Sequence, residues 1–150
     1  MTILGKADYE YFQQMSEDHN TQIKLKPWGK EIWFAHTNKY AGKILEVKKG
    51  HRYSLQYHES KQETQYLYKG KVKFTYGTDK DNLKEIILEP GDKIDVHPGT
   101  IHRLEALEDS QIFEVSTPEL HDVVKIHDDY GRSGSGNDED QDHKLHHKNH

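Results

Sequence analysis

Apolar and polar side chains alternate with a period of two along most of this chain. The repeating units are short: EIWFAH (31–36), AGKILEV (41–47), YSLQYH (53–58), TQYLYKG (64–70), KVKFTYG (71–77), KEIILEPGD (84–92), KIDVHPG (93–99), HRLEAL (102–107) and QIFEVS (111–116). Each is rich in Val, Ile, Tyr or Phe, and Gly, Pro or Asp punctuates them, so the pattern predicts many short strands between about Ile23 and Ile126. Such a series folds as an all-β sandwich or barrel. Two flanking stretches break the alternation. Residues 7–19, ADYEYFQQMSEDH, place Tyr9, Phe12 and Met15 three apart, which predicts a short amphipathic helix. Residues 133–150, SGSGNDEDQDHKLHHKNH, carry one leucine and no other large apolar side chain, which predicts a disordered tail. The plan is therefore an N-terminal helical extension (1–22), a β domain (23–132) and a His/Asp-rich tail (133–150).

Composition narrows the chemistry. The chain has 150 residues, enough for one domain with its own core. It has no cysteine, which excludes disulfides, thiolate metal sites and cysteine nucleophiles, so any metal must be held by nitrogen and oxygen. Lys and Arg are interspersed with Asp and Glu at a net charge of -5, without the basic footprint of a nucleic-acid binder. No apolar run approaches a membrane span and the first residues lack a secretion-signal pattern, so a cytoplasmic protein is expected.

Candidate chemistry concentrates in SLQYHESKQE (54–63). Strand alternation points Gln56 and His58 to one face, and a turn through ESKQ brings Glu63 to the start of the next strand. Further on, GDKIDVHPGTIHRLE (91–105) supplies His102 at the opening of another strand. Gln56, His58, Glu63 and His102 together offer two nitrogens and two oxygens, suited to Zn, Mn, Fe, Co or Ni, with Zn favoured. The competing reading is four unrelated polar residues on exposed strand faces.

The spacing Gly50-x5-Gln56-x-His58-x4-Glu63-x6-Gly70, followed by Gly91-x7-Gly99-x2-His102, resembles the two cupin motifs, with Gln56 where many cupins carry a histidine. More closely, KPWGKEIWF (26–34), YSLQYH, HPGTIHRLEA (97–106) and FEVSTPELHDVVKIHDDYGR (113–132) resemble the cupin domain of bifunctional mannose-1-phosphate guanylyltransferase/mannose-6-phosphate isomerases, the type II isomerase family. The resemblance implies a double-stranded β-helix, or jelly roll, with one divalent ion on Gln56, His58, Glu63 and His102. It also implies aldose–ketose isomerisation of a sugar phosphate through an enediolate, and a homodimer. Arg103 matches an arginine beside the last ligand. The departures lie around the ligands: Ser60, Lys61, Thr64 and Gln65 replace a histidine, an arginine, a histidine and a tryptophan, and His97 replaces a proline.

Arg103, Lys61 and Glu105 are the candidate catalytic residues, each near a ligand in sequence, as are His51 and His97. Alternation sets Arg103 on the face opposite His102, where a structural ion pair competes with a substrate contact. Tyr57, Tyr66 and Tyr68 face away from the ligand side and predict a buried outer face or a dimer interface. The tail histidines His143, His146, His147 and His150 are a second, adventitious source of metal affinity. Two functions follow: a metal-dependent sugar-phosphate isomerase, or a non-catalytic cupin that binds a sugar or sugar nucleotide through the same metal. A metal oxygenase is disfavoured by the neutral Gln56.

Overall fold

A computed structural model describes residues 5–6 and 19–150. The helix expected over 7–19 lies outside the described residues except at its last position. The alternating segments form twelve strands: β1 (Gln22–Lys26), β2 (Gly29–His36), β3 (Ala41–Val47), β4 (Leu55–Tyr57), β5 (Glu63–Lys69), β6 (Val72–Gly77), β7 (Lys84–Leu88), β8 (Lys93–Val96), β9 (Ile101–Ala106), β10 (Ser110–Ser116), β11 (Val124–His127) and β12 (Gly134–Ser135). They pair antiparallel throughout, in two six-stranded sheets ordered β1-β2-β3-β10-β5-β8 and β12-β11-β4-β9-β6-β7. Strands distant in sequence sit side by side, β10 between β3 and β5 and β9 between β4 and β6, which is the jelly-roll wrap expected from the sequence.

The interior is divided along the strand direction. At one end Val47, Leu67, Val72, Phe74, Leu104, Ala106 and Ile112 are almost wholly removed from water and form an apolar floor. Toward the other end the same inward parity continues into charge: Glu31, Lys43, Glu63, Gln65 and Glu114 are buried at positions that alternate with outward Ile32, Ile44, Thr64 and Val115. The floor carries the stability and the polar end carries the site. Gly70, which closes β5, has φ of +100°, and a Cβ there would lie 2.2 Å from Ser110 Oγ and 2.6 Å from the Asp109 carbonyl oxygen, so only glycine fits this corner.

The C-terminal stretch departs from the expected disorder. Glu139–Asn149 form a helix whose N-cap, Asp138, accepts a hydrogen bond from the Gln141 amide. The segment has little apolar surface to bury, and its helix docks on β1 instead through polar contacts centred on buried Asp142. Among the described residues no helix is long and apolar enough to cross a membrane.

Candidate metal centre

Gln56 on β4 pairs in register with His102 of β9 on one side and Lys125 of β11 on the other. His58 follows β4 directly, and Glu63 opens β5 in the facing sheet. The intervening turn is pinned by one carboxylate: Asp122 accepts the backbone N–H groups of Glu59, Ser60 and Lys61 at 3.0, 2.7 and 2.9 Å. Burial would raise the Asp122 carboxyl, but these three donors hold it below its ordinary value. The turn of the second motif joins the first where the Gly99 amide donates to the His58 carbonyl at 2.8 Å.

Both imidazoles are oriented through Nδ1. His58 Nδ1 lies 2.5 Å from the Asp122 carbonyl oxygen and His102 Nδ1 2.9 Å from that of Thr100. A carbonyl only accepts, so each Nδ1 carries the proton and each Nε2 presents a lone pair. The two Nε2 atoms converge on one oxygen, Glu63 Oε1, at 3.3 and 3.2 Å. His102 is completely buried, and its Nε2 has no hydrogen-bond partner. Three lone pairs facing one another in a dry interior are mutually repulsive unless a cation sits among them. These three ligand atoms lie within 4.8 Å of one another, and two nitrogens plus a carboxylate oxygen suit a divalent transition metal. Gln56 lines the same cavity as His58, and its Oε1 accepts a hydrogen bond from Ser54 Oγ at 2.7 Å.

Beside the cluster runs a ladder of alternating charge. Lys61 Nζ lies 3.2 Å from Glu63 Oε2 and 3.0 Å from Glu114 Oε2; Lys43 reaches Glu114 at 3.6 Å and Glu31 at 2.8 Å; Lys26 reaches Glu31 at 3.9 Å and Asp142 at 2.8 Å. Burial alone would lower the Lys61 ammonium, but Glu114 and Glu63 raise it above the usual lysine value, so Lys61 is a fixed cation. Burial raises Glu63, but the Lys61 ammonium at 3.2 Å holds it well below the ordinary carboxylate range. Burial, seconded by the adjoining Glu63 charge, pushes Glu114 up to about 7.

The candidate catalytic residues fall in three different places. Lys61 lines the cavity against the metal cluster. Arg103 is buried elsewhere: it donates to the carbonyls of Tyr53 at 2.9 Å and His127 at 3.1 Å, clamping β11 to β9. Glu105 is half-buried on β9, 3.4 Å from Lys73 of β6, and His51 Nδ1 contacts the Tyr130 hydroxyl at 2.7 Å. His97 is exposed in the turn after β8. Sequence reasoning missed Asp122, Glu31, Lys43 and Glu114. A signal for three of them was present, since EIWFAH, AGKILEV and QIFEVS each set a charged residue among apolar ones, but polar positions are read as outward by default.

Among curated proteins, none matches the chain by sequence. Solved structures match by shape: KdgF from Halomonas sp., 22% identical with a TM-score of 0.57, over 69% of this chain and 89% of that one. The capsular polysaccharide assembling protein CapF from Staphylococcus aureus is 16% identical with a TM-score of 0.61, over 83% of this chain and 37% of that one. Oxalate decarboxylase from Bacillus subtilis is 16% identical with a TM-score of 0.61, over 84% of this chain and 39% of that one. The chain thus spans little more than a third of the latter two, and at these identities the likeness concerns the cupin fold. By sequence, residues 13–128 match the family model described as mannose-6-phosphate isomerase C-terminal, which takes in both motif halves and every residue of the metal cluster. On that match and this fold, the chain belongs to the mannose-6-phosphate isomerase C-terminal family of cupins.

Proposed function

We propose that this protein is a metal-dependent sugar-phosphate isomerase, and the observation that carries the reading is the convergence of His58, His102 and Glu63 beside the fixed cation Lys61. Family membership supports the sugar-phosphate class. Gln56, His58, Glu63 and His102 would hold one divalent ion, zinc for preference, which would supply a Lewis acid for the substrate carbonyl. The chain's own groups position that ion and answer the charge that develops beside it. Asp122 holds the ligand turn in place, and the His58 and His102 Nδ1–H groups donate to backbone carbonyls, fixing both rings. Lys61 opposes negative charge developing on a substrate oxygen, and the apolar floor excludes water from one side. The proposal includes a homodimer through the outer face of the β1-β2-β3-β10-β5-β8 sheet, where Tyr66 and Tyr68 flank Phe113 in stacked contact at 6.5 and 5.1 Å.

A second reading, a non-catalytic metal cupin that binds a sugar or sugar nucleotide, draws support from Ser60, Lys61, Thr64 and Gln65, which stand where the resembling isomerases carry other groups. One experiment separates the two. Metal content is measured in wild type and His58→Ala, then solvent deuterium incorporation next to the carbonyl of mannose 6-phosphate and fructose 6-phosphate is followed in heavy water. One ion per chain, lost in the variant, with metal-dependent exchange supports the isomerase. Metal without exchange across sugar phosphates favours the binding protein, and no metal after reconstitution overturns both.

A further inference from the structure

The cavity beside the metal cluster has a free volume of about 50 Å³. That accommodates a few waters, whereas sites for small organic ligands enclose roughly 300 Å³ or more. The C-terminal segment lies beside it. Asn137 lines the cavity, and five residues later the Asp142 carboxylate, 2% exposed, pairs with two of the lining cations. Its Oδ2 lies 2.8 Å from Lys26 Nζ and its Oδ1 3.2 Å from an Arg132 Nη atom. Both cations line the cavity, as does Lys125, whose ammonium donates to the Gly136 carbonyl. Three cations therefore line the cavity, and the carboxylate facing two of them is carried by the helix that follows.

That element is lightly attached. Asp142 is the one buried residue of the helix. The remaining contacts include an exposed Lys24–Glu139 ion pair and hydrogen bonds from His146 to the Lys26 and Gly29 carbonyls. Gly131, Gly134 and Gly136, with φ of +78°, +82° and +76°, lie in the connection, a tether anchored where β12 pairs Gly134 with Lys125 of β11. A carboxylate delivered on such a tether competes with ligand as a local anion at roughly millimolar effective concentration.

We propose that Lys26, Lys125 and Arg132 form the subsite for the phosphate group of the ligand, and that Asp142 occupies it from the C-terminal helix as an internal stand-in. The phosphate class rests on the function proposed above; the competition itself does not. A phosphate monoester carries more charge and more acceptor oxygens than a carboxylate and matches the guanidinium fork, so it displaces Asp142 and opens the cavity.

The test uses inorganic phosphate on the full-length protein at constant ionic strength, with calorimetric affinities for wild type, Asp142→Asn and Asp142→Asn/Lys26→Gln. Asp142→Asn is expected to bind phosphate about tenfold tighter than wild type, and the added Lys26→Gln to erase that gain. In wild type, saturating phosphate is expected to speed amide exchange of residues 139–149 about tenfold while the barrel strands stay protected. Equal affinities in wild type and Asp142→Asn, or unaltered exchange in the helix, overturn the proposal; where the variant does not fold, the wild-type exchange result decides. None of these readouts involves turnover, so a failed isomerase assay and a failed subsite remain distinguishable.

Discussion

At the scale of single residues, the candidate metal cluster depends on groups outside it. Asp122 is the clearest, because one carboxylate gathers three amides of the turn that carries Lys61 and precedes Glu63. Asp122→Ala is expected to weaken metal affinity about tenfold or more, measured by chelator competition, while leaving the fold intact. Glu31 tests the ladder. It accepts from Lys43 at 2.8 Å and from Trp33 at 2.9 Å, and its loss leaves buried ammonium groups without a counter-charge. Glu31→Gln is expected to cost about 3 kcal/mol in denaturant unfolding. Glu31 also sets an acid response. Burial would raise its carboxyl, but Lys43 and Lys26 hold it well below the ordinary 4.5; Arg132 likewise holds Asp128 below 3.8 against burial. As both folded values are depressed, their stabilisation is present above those ordinary values and is lost as pH falls through and below them. Melting temperature from pH 7 to about 3 is expected to drop less steeply in Glu31→Gln than in wild type.

At the scale of elements, the strands were legible because each alternates at the sheet period and ends in turn residues, and the approach of His58, Glu63 and His102 was legible because both motifs keep their spacing. The C-terminal helix was not. Its residues have low mean hydropathy and a tail of this composition has nothing apolar to bury, yet Asp142, paired with Lys26 and Arg132, docks it. Such a contact pairs residues more than a hundred positions apart and leaves no local periodicity to read. Arg103 was half legible, since alternation set it opposite His102 without revealing that two backbone carbonyls would receive its guanidinium. On the helix itself, His143 and His147 stand four apart with Nε2 atoms 3.4 Å from each other, a spacing two-coordinate metal binding can use. Any ion bound beyond the first equivalent is expected to disappear in His147→Ala and persist in His58→Ala, as read by metal analysis of the dialysed proteins.

At the scale of the whole molecule, the two sheets differ in what they show to water. On the outer face of the β1-β2-β3-β10-β5-β8 sheet, Phe34, Tyr66, Tyr68 and Val115 are between 41% and 57% exposed. Exposed aromatic and branched side chains on one sheet face suit self-association, where about 800 Å² per partner makes a standard interface. Tyr68→Glu is expected to convert the proposed dimer to monomer by light scattering without changing metal content; an unaltered mass would remove this face from consideration.

The alternating ladder also constrains how this protein can change over generations. Reversing or neutralising one rung strands the charges on either side, so a viable line of descent must exchange neighbouring rungs together or pass through a protein that folds poorly. Homologous sequences are therefore expected to vary in linked pairs at Lys26–Glu31, Glu31–Lys43, Lys43–Glu114 and Lys61–Glu114. The apolar floor faces no such rule, and there Val47, Leu67 and Ile112 are free to drift one at a time among side chains of similar volume.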